Sequence, residues 1–276
     1  MAVKIMAIIN TSPDSFSGDG VRVTDTGAVR RRLEQALQEG ADLLDIGGQS
    51  TRPGAEIINE QTEIARVVPA IQLARELSAD IPISVDTFKP AVARAALGAG
   101  ATLLNDVTGF SNQQMVQLAI ESGCDIVVMH MRGTPQNMSK LTDYPGGVVP
   151  DVIDFFKKRT VELQAAGVRP EQIIIDPGIG FAKTAQQSFA LTYRLKSFTE
   201  LGFRVLYGAS NKSFIGKALV KNGEVAPVEE RAVGTIVVHT QAMLSGAAII
   251  RVHDVKAAIE TRAIVEAMLG QREVVL

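Results

Sequence analysis

An arginine and a histidine stand two residues apart in the stretch A-A-I-I-R-V-H-D, which runs from Ala247 to Asp254. The chain has only three histidines, and this one lies at the end of an apolar run that is typical of a buried strand. Because side chains alternate between the two faces of a strand, Arg251 and His253 are expected to point the same way. Two donors in this place predict an anion clamp for a phosphate or diphosphate. The alternative is a structural ion pair between Arg251 and Asp254.

Polar side chains also come at or near the ends of the other apolar runs of the chain. They are Asn10, Asp45, Asp86, Asn105, His130, Asp176 and Ser210. An Asp or Asn after a strand can simply cap the next helix or begin a turn, which is the alternative at any single position. The whole set is harder to explain in this way, because Arg251 and His253 have no capping preference. The pattern therefore favours a polar site built from several strands.

Two kinds of polar group can be distinguished in this set. Asp86, Asn105 and Asp176 suit a ligand edge rich in N–H donors, since a carboxylate can accept two parallel hydrogen bonds. The same oxygens could bind a divalent metal, although Lys212 nearby argues against a dedicated metal cage. The stretch S-N-K-S-F-I-G places Lys212 and Ser213 at the start of a helix, where exposed backbone N–H groups favour an anion. A ligand with a guanidine-like heterocycle at one end and a phosphate at the other would satisfy both kinds of group.

Two turn-rich loops are expected to border the same site. The first, T-S-P-D-S-F-S-G-D-G, contains a single aromatic residue, Phe16, that could close over a ligand. The second, G-G-Q-S-T-R-P-G, sets Thr51 and Arg52 beside Pro53.

Eight short runs rich in Ile, Val and Leu alternate with helical patterns, of which the clearest cover 28–38, 60–77, 91–97, 148–166 and 228–244. Strand–helix alternation with continuously apolar strands predicts a parallel sheet covered by helices. Eight such units in a chain of this length predict an α/β fold of the (β/α)8 TIM-barrel type, with one domain over residues 1–276 and the active site at the carboxyl ends of the strands. The alternative is an open doubly wound sheet, which is weakened because no G-x-G-x-x-G follows the first strand.

The composition excludes several classes of function. Lys and Arg number 28 and Asp and Glu 30 in the 276 residues, a net charge of −2, which does not indicate a nucleic-acid surface. No signal peptide and no apolar run of membrane-spanning length is present, so a cytoplasmic protein with no membrane partner is expected. A single cysteine cannot form an internal disulfide.

Eight motifs in order resemble the dihydropteroate synthase family across nearly the whole chain. They are I-I-N-T-S-P-D-S-F-S, D-I-G-G-Q-S-T-R-P-G, S-V-D-T-F, L-L-N-D-V, M-H-M-R-G-T-P, I-D-P-G-I-G-F, S-N-K-S-F-I-G and R-V-H-D-V. The resemblance implies a TIM barrel that joins 7,8-dihydropterin-6-ylmethyl diphosphate to 4-aminobenzoate and releases diphosphate in folate biosynthesis. It also implies Mg²⁺ as cofactor, sulfonamides as inhibitors and a homodimer.

The resemblance further implies a role for each matching residue. The pterin would be held by Asp86, Asn105, Asp176 and Lys212. The diphosphate would be contacted by Asn10, Arg52, Arg251 and His253, and Asn10 would also ligate Mg²⁺. The 4-aminobenzoate subsite would be bordered by Thr51, Arg52, Pro53, Phe181 and Ser213, with Phe16 and Asp19 in the closing loop. Among these, Asn10, Asp86, Lys212, Arg251 and His253 are the expected catalytic residues.

Three departures from the family pattern lie in the loops. The first loop reads S-G-D-G where the family has S-D-G-G, which affects Asp19; Gln49 stands where Glu is common; and Asn211 replaces the arginine of S-R-K. Two rival functions remain open at this level. One is a methyltetrahydrofolate:corrinoid methyltransferase-like enzyme, which would share the pterin-holding residues but bind no diphosphate. The other is a pterin-binding barrel without catalytic activity.

Overall fold

Eight parallel strands close into a barrel in the part of the chain that the computed structural model describes, which is residues 3–11, 26–51 and 54–273. Each strand pairs with the next one along the chain, and β8 closes the ring by pairing with β1. The predicted α/β fold of the TIM-barrel type is therefore confirmed, and the open-sheet alternative is wrong.

The elements follow the expected alternation. The strands are β1 Lys4–Asn10, β2 Leu43–Gly47, β3 Ile83–Asp86, β4 Leu103–Asp106, β5 Asp125–Met129, β6 Ile173–Asp176, β7 Arg204–Tyr207 and β8 Ile249–Val252. The α-helices are α1 Thr26–Gln38, α2 Glu60–Leu77, α3 Pro90–Gly98, α4 Gln113–Ser122, α5 Val148–Ala165, α6 Ala185–Tyr193, α7 Lys196–Thr199, α8 Ser213–Ala218, α9 Ala232–Leu244 and α10 Val255–Met268. In this part of the chain, no helix is both long enough and apolar enough to cross a bilayer.

The predicted helices agree with the observed ones to within two residues at each end, with one exception. The pattern at 228–244 begins with a separate 3₁₀ turn, Val228–Arg231, and the α-helix starts only at Ala232. Pro227 precedes the turn in an extended conformation and has no N–H to donate, so the chain enters the helix through a tighter turn.

The inside of the barrel is apolar toward the amino ends of the strands and polar toward their carboxyl ends. Leu43, Leu103 and Ile249 belong to an apolar cluster of buried residues that is separate from the larger one. Side chains two residues further along a strand point to the same face. The residues two positions further along these three strands, Asp45, Asn105 and Arg251, therefore also point into the barrel.

Candidate active site

Arg251 lies at the centre of the polar layer, bound to two carboxylates. Its Nε donates to Asp45 Oδ2 at 2.5 Å, and its Nη2 donates to Asp86 Oδ2 at 3.0 Å. The Asp45 side chain is completely buried, while the Arg251 side chain is 21% exposed. The ion pair with Asp254 that the sequence left open is not formed: Asp254 instead caps α10, where its Oδ1 accepts from the N–H of Ala257 at 2.9 Å.

Asp45 is the site residue that sequence reasoning did not select. The sequence pattern placed Asp45 among the residues at the strand ends without a role of its own, but it lies in the middle of β2. Its Oδ2 accepts from Arg251, and both of its oxygens accept from Nδ2 of Asn105, Oδ1 at 3.4 Å and Oδ2 at 3.3 Å. A carboxylate with no exposed surface is stable only when it is paired. Asp45 thus fixes both a guanidinium and an amide beneath the mouth. The available signal was the two-residue spacing from Leu43, which places Asp45 inside the barrel.

Asp86, at the end of β3, is the second carboxylate bound to Arg251. Burial raises the pKa of Asp86 to about 7, and Arg251 opposes this increase while the nearby carboxylate of Asp45 adds to it. The pKa of Arg251 is itself raised by Asp45 and Asp86, against the opposing effect of burial. We assign the stronger ion pair to Asp45, because its contact with Arg251 is the shorter one. The Oδ1 atom of Asp86 is buried and has no hydrogen-bond partner among the described residues, so it can accept from a ligand.

Asp176 and Lys212 form a second pair of opposite charges at the mouth. Burial raises the pKa of Asp176, and the charge of Lys212 opposes this increase. Burial also lowers the pKa of Lys212 to about 8, although Asp176 raises it. The Lys212 Nζ donates to the carbonyl of Ile179 at 2.6 Å and lies 4.7 Å from the centre of the Phe181 ring, where a cation–π contact is favourable.

The turn after β6 holds Asp176 in place. Its Oδ1 accepts from the N–H of Gly178 at 2.8 Å. Gly178 has a φ of +66°, and a Cβ there would lie 2.0 Å from the carbonyl oxygen of His130, so only glycine fits.

His253 comes directly after β8 and is oriented by Ser210. The hydroxyl Oγ of Ser210 accepts from the backbone N–H of His253 at 3.2 Å and lies 2.9 Å from its Nδ1. Ser210 thus holds both the backbone and the ring of His253 at the carboxyl end of β8. The carbonyl of His253 accepts from Arg32 of α1.

Asn10 ends β1 on the same side of the barrel. Its Oδ1 and the Oδ2 of Asp86 lie on the two sides of Gly47, each 3.9 Å from the position that a Cβ would take there. The predicted residues Asn10, Asp86, Asn105, Asp176, Lys212, Arg251 and His253 therefore all lie at or just below the carboxyl end of the barrel.

The residues predicted for 4-aminobenzoate are only partly described. Phe181 and Thr51 are half-buried, and Ser213 is exposed at the first residue of α8, directly after Lys212. The predictions for Phe16, Asp19, Arg52 and Pro53 lie outside the described residues.

His130 and Asn211 are each engaged by another side chain of the protein. His130 is buried beside Lys183, whose Nζ lies 2.9 Å from its Nδ1, and burial with this charge lowers the pKa of His130 to about 2. Asn211 has a φ of +56° and accepts at its Oδ1 from the hydroxyl of Thr235 in α9 at 3.2 Å. Asn211 is therefore held against the helix layer.

Comparison with known proteins agrees with this geometry. A family model described as pterin binding enzyme matches residues 6–253. The dihydropteroate synthase of Synechocystis sp. is 43% identical over 265 residues, which cover 96% of this chain and 89% of the relative. That of Haemophilus influenzae is 40% identical over 254 residues, with coverage of 92% and 90%.

Solved structures of dihydropteroate synthases are similar over the whole barrel. A Yersinia pestis enzyme in complex with a sulfonamide drug superposes with a TM-score of 0.90 at 35% identity, covering 98% of this chain and 95% of the other. A Xanthomonas albilineans enzyme with 4-aminobenzoic acid has a TM-score of 0.89 at 36% identity, with coverage of 97% and 93%. The same species' enzyme with 7,8-dihydropteroate has a TM-score of 0.85 at 34% identity, with coverage of 97% and 94%. On these matches, the chain belongs to the pterin-binding enzymes, in the dihydropteroate synthase family.

Proposed function

We propose that the chain condenses 7,8-dihydropterin-6-ylmethyl diphosphate with 4-aminobenzoate to give 7,8-dihydropteroate and diphosphate. The observation that carries the proposal is the division of the mouth into two parts. One part presents buried acceptors at Asp86 and Asp176, and the other presents donors at Arg251 and His253. A ligand with an N–H-rich ring and a phosphate chain complements both parts.

The pterin ring is assigned to the acceptor side. The unpaired Oδ1 of Asp86 would accept from a ring N–H or amino group, which removes the penalty of leaving that buried atom without a partner. Asp176 would accept at the other edge, and Lys212 would donate to a ring acceptor while staying over Phe181. Asn105 is held by Asp45 through its amide nitrogen, so its oxygen is the atom directed to the ligand.

The diphosphate is assigned to Arg251, His253 and Asn10. Breaking the C–O bond to the diphosphate leaves a cationic methylene that the electron-rich pterin stabilises. The guanidinium of Arg251 and the imidazole of His253 would bind the departing negative charge. The aromatic amine then attacks the methylene, so the main contribution of the protein is to position the two substrates.

Magnesium fits this donor set as an ion that arrives with the diphosphate. Among the described residues, no group of three or more His, Cys, Asp or Glu side chains could hold a metal ion. Mg²⁺ commonly binds through one or two protein oxygens, substrate phosphates and water. The Oδ1 of Asn10 would supply such an oxygen, since the carboxylates of Asp45 and Asp86 already face Arg251. When bound, the ion would neutralise charge on the leaving diphosphate.

The acceptor acid is assigned to the space bordered by Thr51, Phe181 and Ser213, with Arg52 and Pro53 as predicted contributors. Sulfonamides would compete for this subsite, as the sulfonamide complex of the Yersinia pestis relative suggests. The cytoplasmic location expected from the sequence stays a prediction.

A homodimer is proposed through the outer face of α9 and α10. Val233 and Val237 on α9 are 72% and 63% exposed, and Ile264 and Met268 on α10 are 64% and 65% exposed. Large exposed apolar side chains on two helices that pack against each other are typical of subunit interfaces. Light scattering should give twice the chain mass, and Val237→Glu with Ile264→Glu should give the mass of one chain.

Diphosphate release with both substrates and Mg²⁺ tests the function. Release that depends on 4-aminobenzoate, with formation of dihydropteroate, is the expected result. Tight pterin binding without release would indicate a binding protein, and methyl transfer from methyltetrahydrofolate would indicate the corrinoid-dependent class.

A further inference from the structure

A buried lysine binds both ends of the loop after β2. The Nζ of Lys89, the residue before α3, donates to Gln49 Oε1 at 2.7 Å, to the carbonyl of Ile58 at 2.6 Å and to Glu63 Oε2 at 2.6 Å. Gln49 lies near the start of this loop and Ile58 near its end, so two donors of a single ammonium group hold the two ends together, and the third binds Glu63 in α2.

The two ends are also bonded to each other. The Oε1 of Gln49 accepts from the N–H of Ile58 at 3.1 Å as well as from Lys89. Thr51 is two residues from Gln49, and it belongs to the segment that carries the predicted 4-aminobenzoate contacts. The position of the two described ends of this loop, residues 48–51 and 54–59, therefore depends on a side chain that is only 10% exposed.

The charge at this place is balanced by one acidic residue. The side chains of Lys89 and Glu63 are 10% and 2% exposed, so Glu63 needs Lys89 as its counter-charge. Gln49 adds an acceptor without adding charge, and its Nε2 is buried with no hydrogen-bond partner among the described residues.

We infer that Lys89 is a positioning residue for the acceptor subsite, acting through Gln49 and Ile58 on the loop that carries Thr51. The side chain of Lys89 is only 10% exposed, so its effect passes through its contacts with Gln49 and Ile58. The inference rests on the proposed synthase activity, because it concerns where the aminobenzoate binds.

The test removes the tether without leaving an unpaired buried charge. The double variant Lys89→Met, Glu63→Gln deletes both charges together, which avoids the large destabilisation of a single deletion. The matched control is Arg75→Met. Arg75 also binds backbone carbonyls, those of Gly100, Ala79 and Ile81, but it does so where α2 leads into β3, at the opposite end of the barrel.

We expect the double variant to raise the KM for 4-aminobenzoate about tenfold, since small misplacements of substrate-positioning groups have effects of this size or larger. The KM for the pterin diphosphate should change by less than about twofold, and Arg75→Met should leave both constants unchanged at a temperature where it is folded. Equal changes in both constants, or no change in that for the acid, would overturn the inference. Absence of activity in the unsubstituted protein would instead refute the proposed function.

A second measurement does not depend on activity. Amide hydrogen exchange at Ile58 should be faster in the double variant than in the unsubstituted protein, because its acceptor, Gln49, loses the contact that holds it. Unchanged exchange at Ile58 would show that the loop keeps its shape without Lys89. The conservative variant Gln49→Glu retains the accepting oxygen and should keep both the exchange rate and the KM for the acid. The variant Gln49→Leu should reproduce the loss.

Discussion

The substitution Asp45→Asn tests whether the buried carboxylate organises the mouth. Asparagine keeps the size of the side chain and one accepting oxygen, but it removes the charge that faces Arg251 Nε at 2.5 Å. Removing one partner of a buried ion pair costs about 3–5 kcal/mol. Arg251 keeps its contact with Asp86 at 3.0 Å and is 21% exposed, so solvent and the remaining carboxylate offset part of that loss. We expect a decrease of about 2–3 kcal/mol in the free energy of unfolding, or roughly 4–10 °C in Tm.

The same substitution should change the titration of Asp86. The charge of Asp45 raises the pKa of Asp86, and in its absence Arg251 is paired with Asp86 alone. The pKa of Asp86 should therefore fall from about 7. Pterin binding that requires the ionised carboxylate should then have its pH midpoint at a lower pH in the variant.

Urea denaturation measures the loss in the free energy of unfolding. Calorimetric titration with a pterin, in steps of about half a pH unit from about pH 5.5 to about 8.5, measures the pH midpoint of pterin binding. Asp42→Asn is the matched control. Asp42 pairs with Arg262 at 2.6 Å just before β2, at the other end of the barrel, where its side chain is 33% exposed. It should cost only about 1 kcal/mol and leave the pH profile unchanged. A pH midpoint that stays in place or rises in Asp45→Asn would refute the reasoning.

Further substitutions examine the two parts of the mouth. Asp176→Asn should weaken pterin binding by about 2–4 kcal/mol in calorimetry, because a donor then faces the donors of the ligand; unchanged affinity would refute the assignment. Arg251→Ala should weaken the pterin diphosphate more than an unphosphorylated pterin, although both should weaken since Asp86 loses its counter-charge; equal losses would mean that Arg251 does not bind the phosphates. Pterin affinity should fall about tenfold from pH 8 to pH 6 as Asp86 is protonated. The raised pKa of Asp86 also contributes to folding stability at low pH: this contribution is fully present below the ordinary value of 3.8 and is lost as the pH rises through about 7. It can be measured as the difference in urea unfolding between the unsubstituted protein and Asp86→Asn. Asn211→Arg should leave the KM for 4-aminobenzoate unchanged or higher, because φ of +56° disfavours arginine by about 1 kcal/mol and the bond from Thr235 is lost; a lower KM would show that position 211 faces the subsite.

The order of strands and helices could be predicted because each element carries its own signal. Apolar runs of strand length alternate with helical periods, and a glycine follows several helices, as at Gly123, which has a φ of +64° and ends α4. The beginning of α9 at Ala232 was missed because the apolar period continues through the preceding 3₁₀ turn, and periodicity does not distinguish the two kinds of helix.

The direction of the loop side chains could not be predicted, because it depends on backbone angles that the sequence leaves open. Asn211 stands where the family has an arginine, directly before Lys212, and its position in the sequence does not fix the direction of its side chain. In the structure Asn211 has a positive φ and its side chain accepts from Thr235, which is 24 residues further along the chain. Asparagine adopts a positive φ more readily than most residues do, and in this chain it replaces the arginine that the family has at this position.

The central ion pair was missed for a different reason, which is register. Arg251 and Asp45 are 206 residues apart, and no local pattern links them. Met6 of β1 pairs with Leu43 of β2 on one side and with Arg251 of β8 on the other, and because the strands of a closed barrel are tilted, Asp45, two residues beyond Leu43, comes to the height of Arg251. Sequence alternation places both side chains inside the barrel, but only the closure of β8 on β1 decides that they are at the same height. The anion clamp predicted from Arg251 and His253 is thus also part of the fold, since the guanidinium that we assign to the diphosphate is the counter-charge of the completely buried carboxylate of Asp45.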